Sequence, residues 1–339
     1  MTMKRTLSSV VLATSALLLG GAAVLPGGAT SAPHGTNILV MGTDGRDTIS
    51  AAEKRKYHAG GIACDCTDTL MVVHVSARRD RVSVVALPRD SYADIPAYRD
   101  EATGAKRPSH PSKINGAYAE GGPRLTVATV ESMTGLNIHH FLQLDFRRFI
   151  DAVNDVGGVE VCTPRRLKDR ATKLDLKPGA HRLAGGPALQ YVRSRHVDRA
   201  ADLGRIQRQQ RFLVQALRGL RAKGLLTDPA ATARLMRVLL GSGQVDQGFG
   251  ARDLVELAAA LNKVPARNTE FAAVPVAGFN ETRPDVGSTL AWDRAKADAM
   301  FGKLREDRPL LRAGAHPKPY DPPRLMRSVT VRGSAYACR

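Results

Sequence analysis

Short apolar runs alternate with longer segments of helical period along this chain. Residues Asn37 to Met41 form an apolar run that ends at Gly42 and reads as a buried strand feeding the loop Thr43-Asp44-Gly45-Arg46. Leu70 to Val75 and Val82 to Leu87 flank the charged turn Arg78-Arg79-Asp80, which predicts a hairpin of core strands closed by Pro88-Arg89-Asp90. Residues 98–112 are polar, with Gly104, Pro108 and Pro111, and read as a flexible surface loop. Helices are predicted over Arg124 to Met133 and Phe146 to Val153, stopped near Gly135 and by Gly157-Gly158. Val159 to Val161 reads as a strand, Lys168 to Pro178 as a basic loop, and Leu183 to Tyr191 as a short helix. Further helices are predicted from Asp202, placed as an N-cap, to Arg221, from Pro229 to Leu240 and from Ala251 to Leu261. Phe271 to Val276 reads as a late strand, Thr289 to Leu304 as a last helix holding Trp292, and everything from Arg305 on as a Pro-, Arg- and Gly-rich tail that Cys338 could pin back. Strands interleaved with helices point to an α/β or α+β sandwich.

The first 33 residues stand apart. Lys4 and Arg5 precede an apolar stretch from about Leu7 to Leu25, ended by Pro26-Gly27-Gly28. A positive flank before an apolar stretch is a membrane-targeting signal with the N-terminus inside. The stretch lies between a signal-peptide core and a short spanning helix in length. The reading is an uncleaved anchor with the remainder exported, and a secreted protein if cleavage occurs near Ala29. Export agrees with an even set of four cysteines, which favours disulfides. Cys64 and Cys66 are close in sequence, so each is expected to bond further away, with at least one bridge to Cys162 or Cys338.

Charge narrows the partners. The formal net charge of +18 calls for a polyanionic neighbour: nucleic acid, anionic lipid, a phosphorylated substrate or an acidic wall polymer. Aromatic residues make up only 5% and no nucleic-acid motif accompanies the charge, so nucleic acid is set aside. The chemistry is concentrated instead in Tyr191-Val192-Arg193-Ser194-Arg195-His196 and in Asp202-Leu203-Gly204-Arg205 through Gln209-Gln210. In an extended segment Arg193 and Arg195 point to the same side, where two guanidiniums suit phosphate oxygens. Arg205 and Gln209, four apart, share a helix face, and Ile206, Gln210, Leu213, Leu217 and Leu220 form the seam beside it. If the first strand runs parallel to the third, Asp44, Asp68 and Arg89 meet on one rim of the sheet. Two carboxylates completed by water and diphosphate oxygens are a set that Mg²⁺ accepts.

Six blocks occur in order: Gly42-Thr43-Asp44-Gly45-Arg46, Thr67-Asp68-Thr69-Leu70-Met71, Leu87-Pro88-Arg89-Asp90-Ser91-Tyr92, Lys113-Ile114-Asn115-Gly116-Ala117-Tyr118, Tyr191 to His196, and Asp202 to Gln210. Together they resemble the LytR-CpsA-Psr family, bacterial ligases that attach glycopolymers to peptidoglycan. The resemblance covers about Asn37 to Leu220. It implies a central mixed sheet covered by helices on both faces, with an apolar tunnel for a polyprenyl chain and the diphosphate at its mouth. It divides the chain into an anchor or signal at 1–33, a catalytic domain at 34–304 and a tail at 305–339. It implies Asp44 and Asp68 as Mg²⁺ ligands, and Arg89, Arg193, Arg195, Arg205 and Gln209 on the phosphates, with Arg46 and Asp202 in support. One departure is Cys66, which stands where the family often has an arginine; one phosphate contact is then either lost or supplied from Lys113 or Arg107. Tunnel candidates are Leu125, Val130, Phe141, Phe146, Phe149 and Ile150, each of which plain core packing also explains.

The implied reaction is transfer of a polyprenyl-diphosphate-linked glycan to a peptidoglycan hydroxyl. It leaves a phosphodiester and a polyprenyl phosphate, with Asp90 or a metal-bound aspartate as candidate base. Hydrolysis of lipid-linked or nucleotide diphosphates, and non-enzymatic binding of anionic wall polymer, are the alternatives.

Overall fold

The computed structural model describes residues 34–338 apart from 62–63, 240–247, 249 and 325. The anchor read at 1–33 and the end of the helix read to Leu240 lie outside these residues. Among the described residues no helix is long and apolar enough to cross a membrane.

In chain order, β1 (Thr36–Thr43) leads through α1 (Ala51–Lys56) to β2 (Thr67–Val75) and β3 (Val82–Leu87). Four short strands follow: β4 (Tyr92–Ile95), β5 (Tyr98–Arg99), β6 (Lys106–Arg107) and β7 (His110–Lys113). Helix α2 (Gly116–Thr134), β8 (His140–Leu144), α3 (Phe146–Asp155) and β9 (Val159–Thr163) come next. Then come β10 (Leu167–Asp169), β11 (Leu174–Leu176), β12 (Gly179–Leu183) and α4 (Gly185–Arg193). Three helices follow, α5 (Ala201–Ala222), α6 (Pro229–Leu239) and α7 (Ala251–Lys263). The chain closes with β13 (Thr269–Ala273), β14 (Val276–Phe279), β15 (Leu290–Trp292), α8 (Arg294–Arg305) and β16 (Val331–Arg332).

The central sheet has the order β16-β13-β3-β2-β1-β8. Strand β2 is antiparallel to both β1 and β3, so β1 and β3 run the same way and their C-terminal ends lie beside the start of β2. Period-two alternation sends Leu39, Met41, Leu70, Val72, Val85 and Leu87 to one face, under Phe301 and Leu304 of α8 and Val130 of α2. Met71, Val75, Val82, Val84 and Ala86 go to the other, under Ile206 and Val214 of α5 and Ala260 of α7. A third apolar cluster joins Ile150 and Val153 of α3 to Leu189 and Val192 of α4 and Phe212 of α5. Helices cover both faces of a mixed sheet, as expected.

Several local expectations are corrected. Residues 98–112 are hydrogen-bonded rather than loose: β4 pairs with β7, and β5 with β6. The basic loop at 168–178 is a hairpin of β10 and β11 whose Leu167 and Leu174 are buried. Helix α2 begins eight residues before Arg124, because its first turns precede a break at Gly121-Gly122 and Pro123 that interrupts the helical period. Trp292 lies on β15, not in a helix, and Asp293 caps α8 by accepting from the Lys296 amide at 3.3 Å. Asp202 is not a cap but lies in the first turn of α5, whose N-cap is Ala200. The segment beyond Arg305 is no loose tail. Glu270, fully buried on β13, accepts from the amides of Leu310 and Leu311 at 2.9 Å, and β16 joins the sheet edge.

The cysteines are all bridged, but not as expected: Cys64 bonds Cys66, and Cys162 bonds Cys338. A left-handed backbone at Asp65 (φ 46°) turns the chain, and the Cα atoms of Cys64 and Cys66 come within 5.1 Å, inside ordinary bridging range.

Candidate active site

The site gathers where β1 and β3 end and β2 begins, as the strand directions require. The register of β1 on β2 slips here: Gly42 faces Thr69 and Thr43 faces Thr67, so Asp68 is the extra residue of a bulge. A bulge frees its residue from the ladder and re-aims the side chain. Asp68 meets Arg89 Nη1 and lies 3.5 Å from Arg205 Nη1, while Arg205 Nη2 donates to its backbone carbonyl at 2.7 Å. Burial works against its charge, but Arg205 and Arg89 outweigh it and hold the carboxyl below the usual carboxylate range. Asp44, just past β1 and only 2% exposed, takes Arg46 Nε at 2.6 Å and 2.8 Å on its two oxygens.

The arginine pair is not on a strand. Arg193 ends α4 and Ser194 is its C-cap, after which the chain runs extended through Arg195. Arg193 stacks over the Phe146 ring at 4.6 Å and has no carboxylate partner among the described residues. Arg195 Nε is 3.5 Å from Asp202 Oδ1, and Arg205 Nη2 is 2.9 Å from the same oxygen, as ion pairs. Burial, then neighbouring arginines, pull both Arg193 and Arg195 below the ordinary guanidinium range. Gln209, one turn beyond Arg205, donates to Thr69 Oγ1 at 2.9 Å and to the Val192 carbonyl at 3.1 Å.

Arg46, Arg89, Arg193, Arg195 and Arg205 line one polar cavity of about 340 Å³ with Asp44, Asp68 and Asp169. Five guanidiniums against three carboxylates leave the cavity short of negative charge, which an anion would supply. Asp68, Arg193 and Arg205 also border a second, apolar cavity of about 120 Å³. Its walls include Val40, Met71, Phe146, Phe149, Leu189 and Phe212, and Leu213, 40% exposed, stands at its edge.

Of the tunnel candidates, Phe146 and Phe149 line this cavity. Leu125 and Val130 are core on the opposite face of the sheet, Phe141 packs against them, and Ile150 is core between α3 and α4. The seam read on α5 is also shifted: Leu213 is a cavity-edge residue, and Val214 faces the sheet. Asp90 and Lys113 pair with each other at 3.1 Å beside Arg89 and do not line the polar cavity. Neither Lys113 nor Arg107, which is exposed and 3.3 Å from Asp100, replaces the arginine absent at Cys66. Sequence reasoning missed His58, Asp169 and Thr172 as cavity residues. Asp169 sat in a stretch read as basic loop, and no spacing signal marks it.

Comparison with known proteins places the chain among its relatives. The LytR_cpsA_psr family model matches residues 26–306. A probable cell wall biosynthesis protein, LcpB of Corynebacterium glutamicum, is 33% identical over 271 residues, 80% of this chain and 61% of that protein. A Bacillus subtilis polyisoprenyl-teichoic acid–peptidoglycan teichoic acid transferase, TagV, is 33% identical over 152 residues, 43% of this chain and 37% of its own. The solved structure of a LytR-Csp2A-Psr enzyme from Actinomyces oris superposes with a TM-score of 0.60 at 22% identity, covering 81% of this chain and 91% of that one. The chain spans 61% and 37% of the length of these two curated relatives, and the family model covers most of the chain: it belongs to the LytR-CpsA-Psr family.

Proposed function

We propose that this protein transfers a glycopolymer from a polyprenyl diphosphate to a hydroxyl of peptidoglycan, forming a phosphodiester and releasing polyprenyl phosphate. The supporting observation is the junction of the two cavities. An arginine-rich polar cavity and an apolar one share Asp68, Arg193 and Arg205. An amphiphile with phosphates at its head and hydrocarbon behind them has that polarity. A transferase of this kind is what the TagV relative is named for.

In this reading Arg193, Arg195 and Arg205 hold the diphosphate oxygens, and their charge favours the anion that grows on the departing lipid phosphate. Arg46 and Arg89 hold Asp44 and Asp68 in place. The donor set also suits Mg²⁺, which takes one or two carboxylates and fills its octahedron with water and phosphate oxygens. The Arg89 hydrogen bond and the 3.5 Å approach of Arg205 Nη1 to the Asp68 carboxylate are both on Oδ1, so a cation would be taken on Oδ2. Asp44 and Asp68 would hold the ion, and bound there it would neutralise diphosphate charge. Membrane attachment through 1–33, with the site outside the membrane, would put it where a lipid-linked donor and the wall acceptor meet.

The test incubates purified protein with a polyprenyl-diphosphate-linked glycan, peptidoglycan fragments and Mg²⁺, and follows polyprenyl phosphate and the phosphodiester by mass spectrometry. Wild type should form both, and Asp44→Ala and Asp68→Ala should lose turnover by at least about a hundredfold with an unchanged melting curve. Polyprenyl phosphate released without the phosphodiester would make the protein a hydrolase. Full activity in both variants would remove the metal assignment.

A further inference from the structure

Asp169 ends β10 and is 1% exposed, yet among the described residues no lysine or arginine stands within ion-pair distance of it, and the exposed His196 ring is 3.8 Å away. Its carboxylate is used on backbone instead. Oδ1 accepts from the amides of Ala171 at 2.8 Å and Thr172 at 3.2 Å, in the turn between β10 and β11. Oδ2 accepts from the amides of Arg195 at 2.7 Å and His196 at 2.9 Å. One side chain therefore closes two segments onto each other. The second segment is the one that carries the arginine pair, at the point where the chain has just left α4. Successive N–H groups past a helix end form a concave anion site, and here the carboxylate occupies it. Burial disfavours the charge, but the four amides prevail and keep the carboxyl below the usual range.

The same junction has a second tie. Ser194, between the arginines and fully buried, bonds Thr172 Oγ1 at 3.0 Å, and its carbonyl receives Arg208 Nη2. The backbone at Arg195 is thus fixed from the β10–β11 turn, while its guanidinium reaches the polar cavity. Arg193 is placed separately, by α4. Without a tie, nothing in the helix would set Arg195 relative to Arg193.

We propose that Asp169 is a positioning residue for the phosphate site: through the amides of Arg195 and His196 it sets where the Arg195 guanidinium stands beside Arg193. This rests on the reading of the site as diphosphate-binding, and the test separates the two. The probe is inorganic pyrophosphate with Mg²⁺, titrated calorimetrically into full-length protein in detergent. Wild type, Asp169→Asn, Arg195→Ala and the double variant complete a cycle. Each single variant should bind about tenfold more weakly or worse, and the double no more than about twofold more weakly than Arg195→Ala. A scaffold role unrelated to Arg195 would make the losses multiply, and that outcome overturns the proposal, as does wild-type binding by Arg195→Ala. If Asp169→Asn does not fold, Ser194→Ala, which keeps the carboxylate and removes the tie to Thr172, takes its place. Its smaller loss, about threefold, should vanish in the Arg195→Ala background, and persistence there overturns the proposal. No pyrophosphate binding by wild type would fail the diphosphate reading itself. Binding with multiplied losses would fail only the role of Asp169.

Discussion

A lysine and an arginine carry the same charge, and Arg193 and Arg195 are placed where the difference matters. The Arg193 guanidinium carbon stands 4.6 Å from the centre of the Phe146 ring, a cation–π contact made more often by arginine than by lysine. Arg195 approaches Asp202 at 3.5 Å through Nε and lines the polar cavity. Arg193→Lys and Arg195→Lys are each expected to weaken binding of a polyprenyl diphosphate about ten- to a hundredfold, the worth of one charge-assisted bond of about 1.5–3 kcal/mol. A phosphate-free polyprenol should bind both variants like wild type. Equal binding of the diphosphate lipid by both lysine variants and wild type would show that charge alone is read.

At the scale of elements, the site depends on a bulge and on two helices. Asp68 faces the cavity because β2 carries one residue more than β1 opposite it. Helix α5 brings Arg205 and Gln209 to the cavities on one side, and on its other side Gln210 and Gln215 bond to Ala272 and Tyr336. Helix α4, which ends in Arg193, starts at Gly185-Gly186, where it packs on Tyr57 just after α1. A Cβ at position 186 would fall within the Tyr57 ring. Gly186→Ala should therefore destabilise the fold by about 1–3 kcal/mol, read from a denaturant melt. Tyr57→Ala should make the added methyl nearly harmless, so the double variant should be more stable than the sum of the two losses. Additive losses would mean that the helix start tolerates the methyl by other means.

For the molecule as a whole, residues beyond Arg305 act as a strap across the sheet edge and the back of α5. Cys338 reaches Cys162 over 176 residues of sequence, and Asp321 pairs with Arg165 at 3.3 Å and Arg211 at 2.9 Å. Cys338→Ser should cost about 2–5 kcal/mol of stability, the usual worth of a bridge closing a long loop, and reduction of wild type, which also opens Cys64–Cys66, should cost at least as much. An unchanged unfolding midpoint under reducing conditions would contradict it. Asp307 ties the start of the strap to β2 through His74 at 3.0 Å and to the turn before β3 through Arg81 at 2.6 Å. Burial opposes its charge, but the bond to His74, the Ala77 amide and Arg81 hold its carboxyl below the ordinary range. A depressed folded value means that the stabilisation is complete above the unfolded value, near pH 4, and is lost as the pH falls through the folded one. Melting temperature should thus decline below about pH 4, and Asp307→Asn should lower stability at pH 7 while flattening that decline. An identical acid slope in the variant would remove Asp307 from the account.

Strand and helix identities along 37–304 were mostly legible because burial imposes a period on sequence: two for β1 to β3, about 3.6 for α3, α5 and α7. The arginine and aspartate blocks were legible because few residue types bind phosphate and because the six blocks keep their order. What the sequence left open depended on contacts made at long range. The strap has no apolar period, since buried carboxylates, prolines and a disulfide hold it rather than an amphipathic face. The Cys64–Cys66 bridge needed the turn at Asp65, a backbone choice that spacing does not reveal. Leu125 and Phe146 look alike as apolar helix positions; only the face of the sheet each helix covers decides that one is core and the other borders the cavity. Asp169 was invisible for a related reason. Its carboxylate binds backbone amides, which every residue has, so nothing in the sequence of its partners marks the contact.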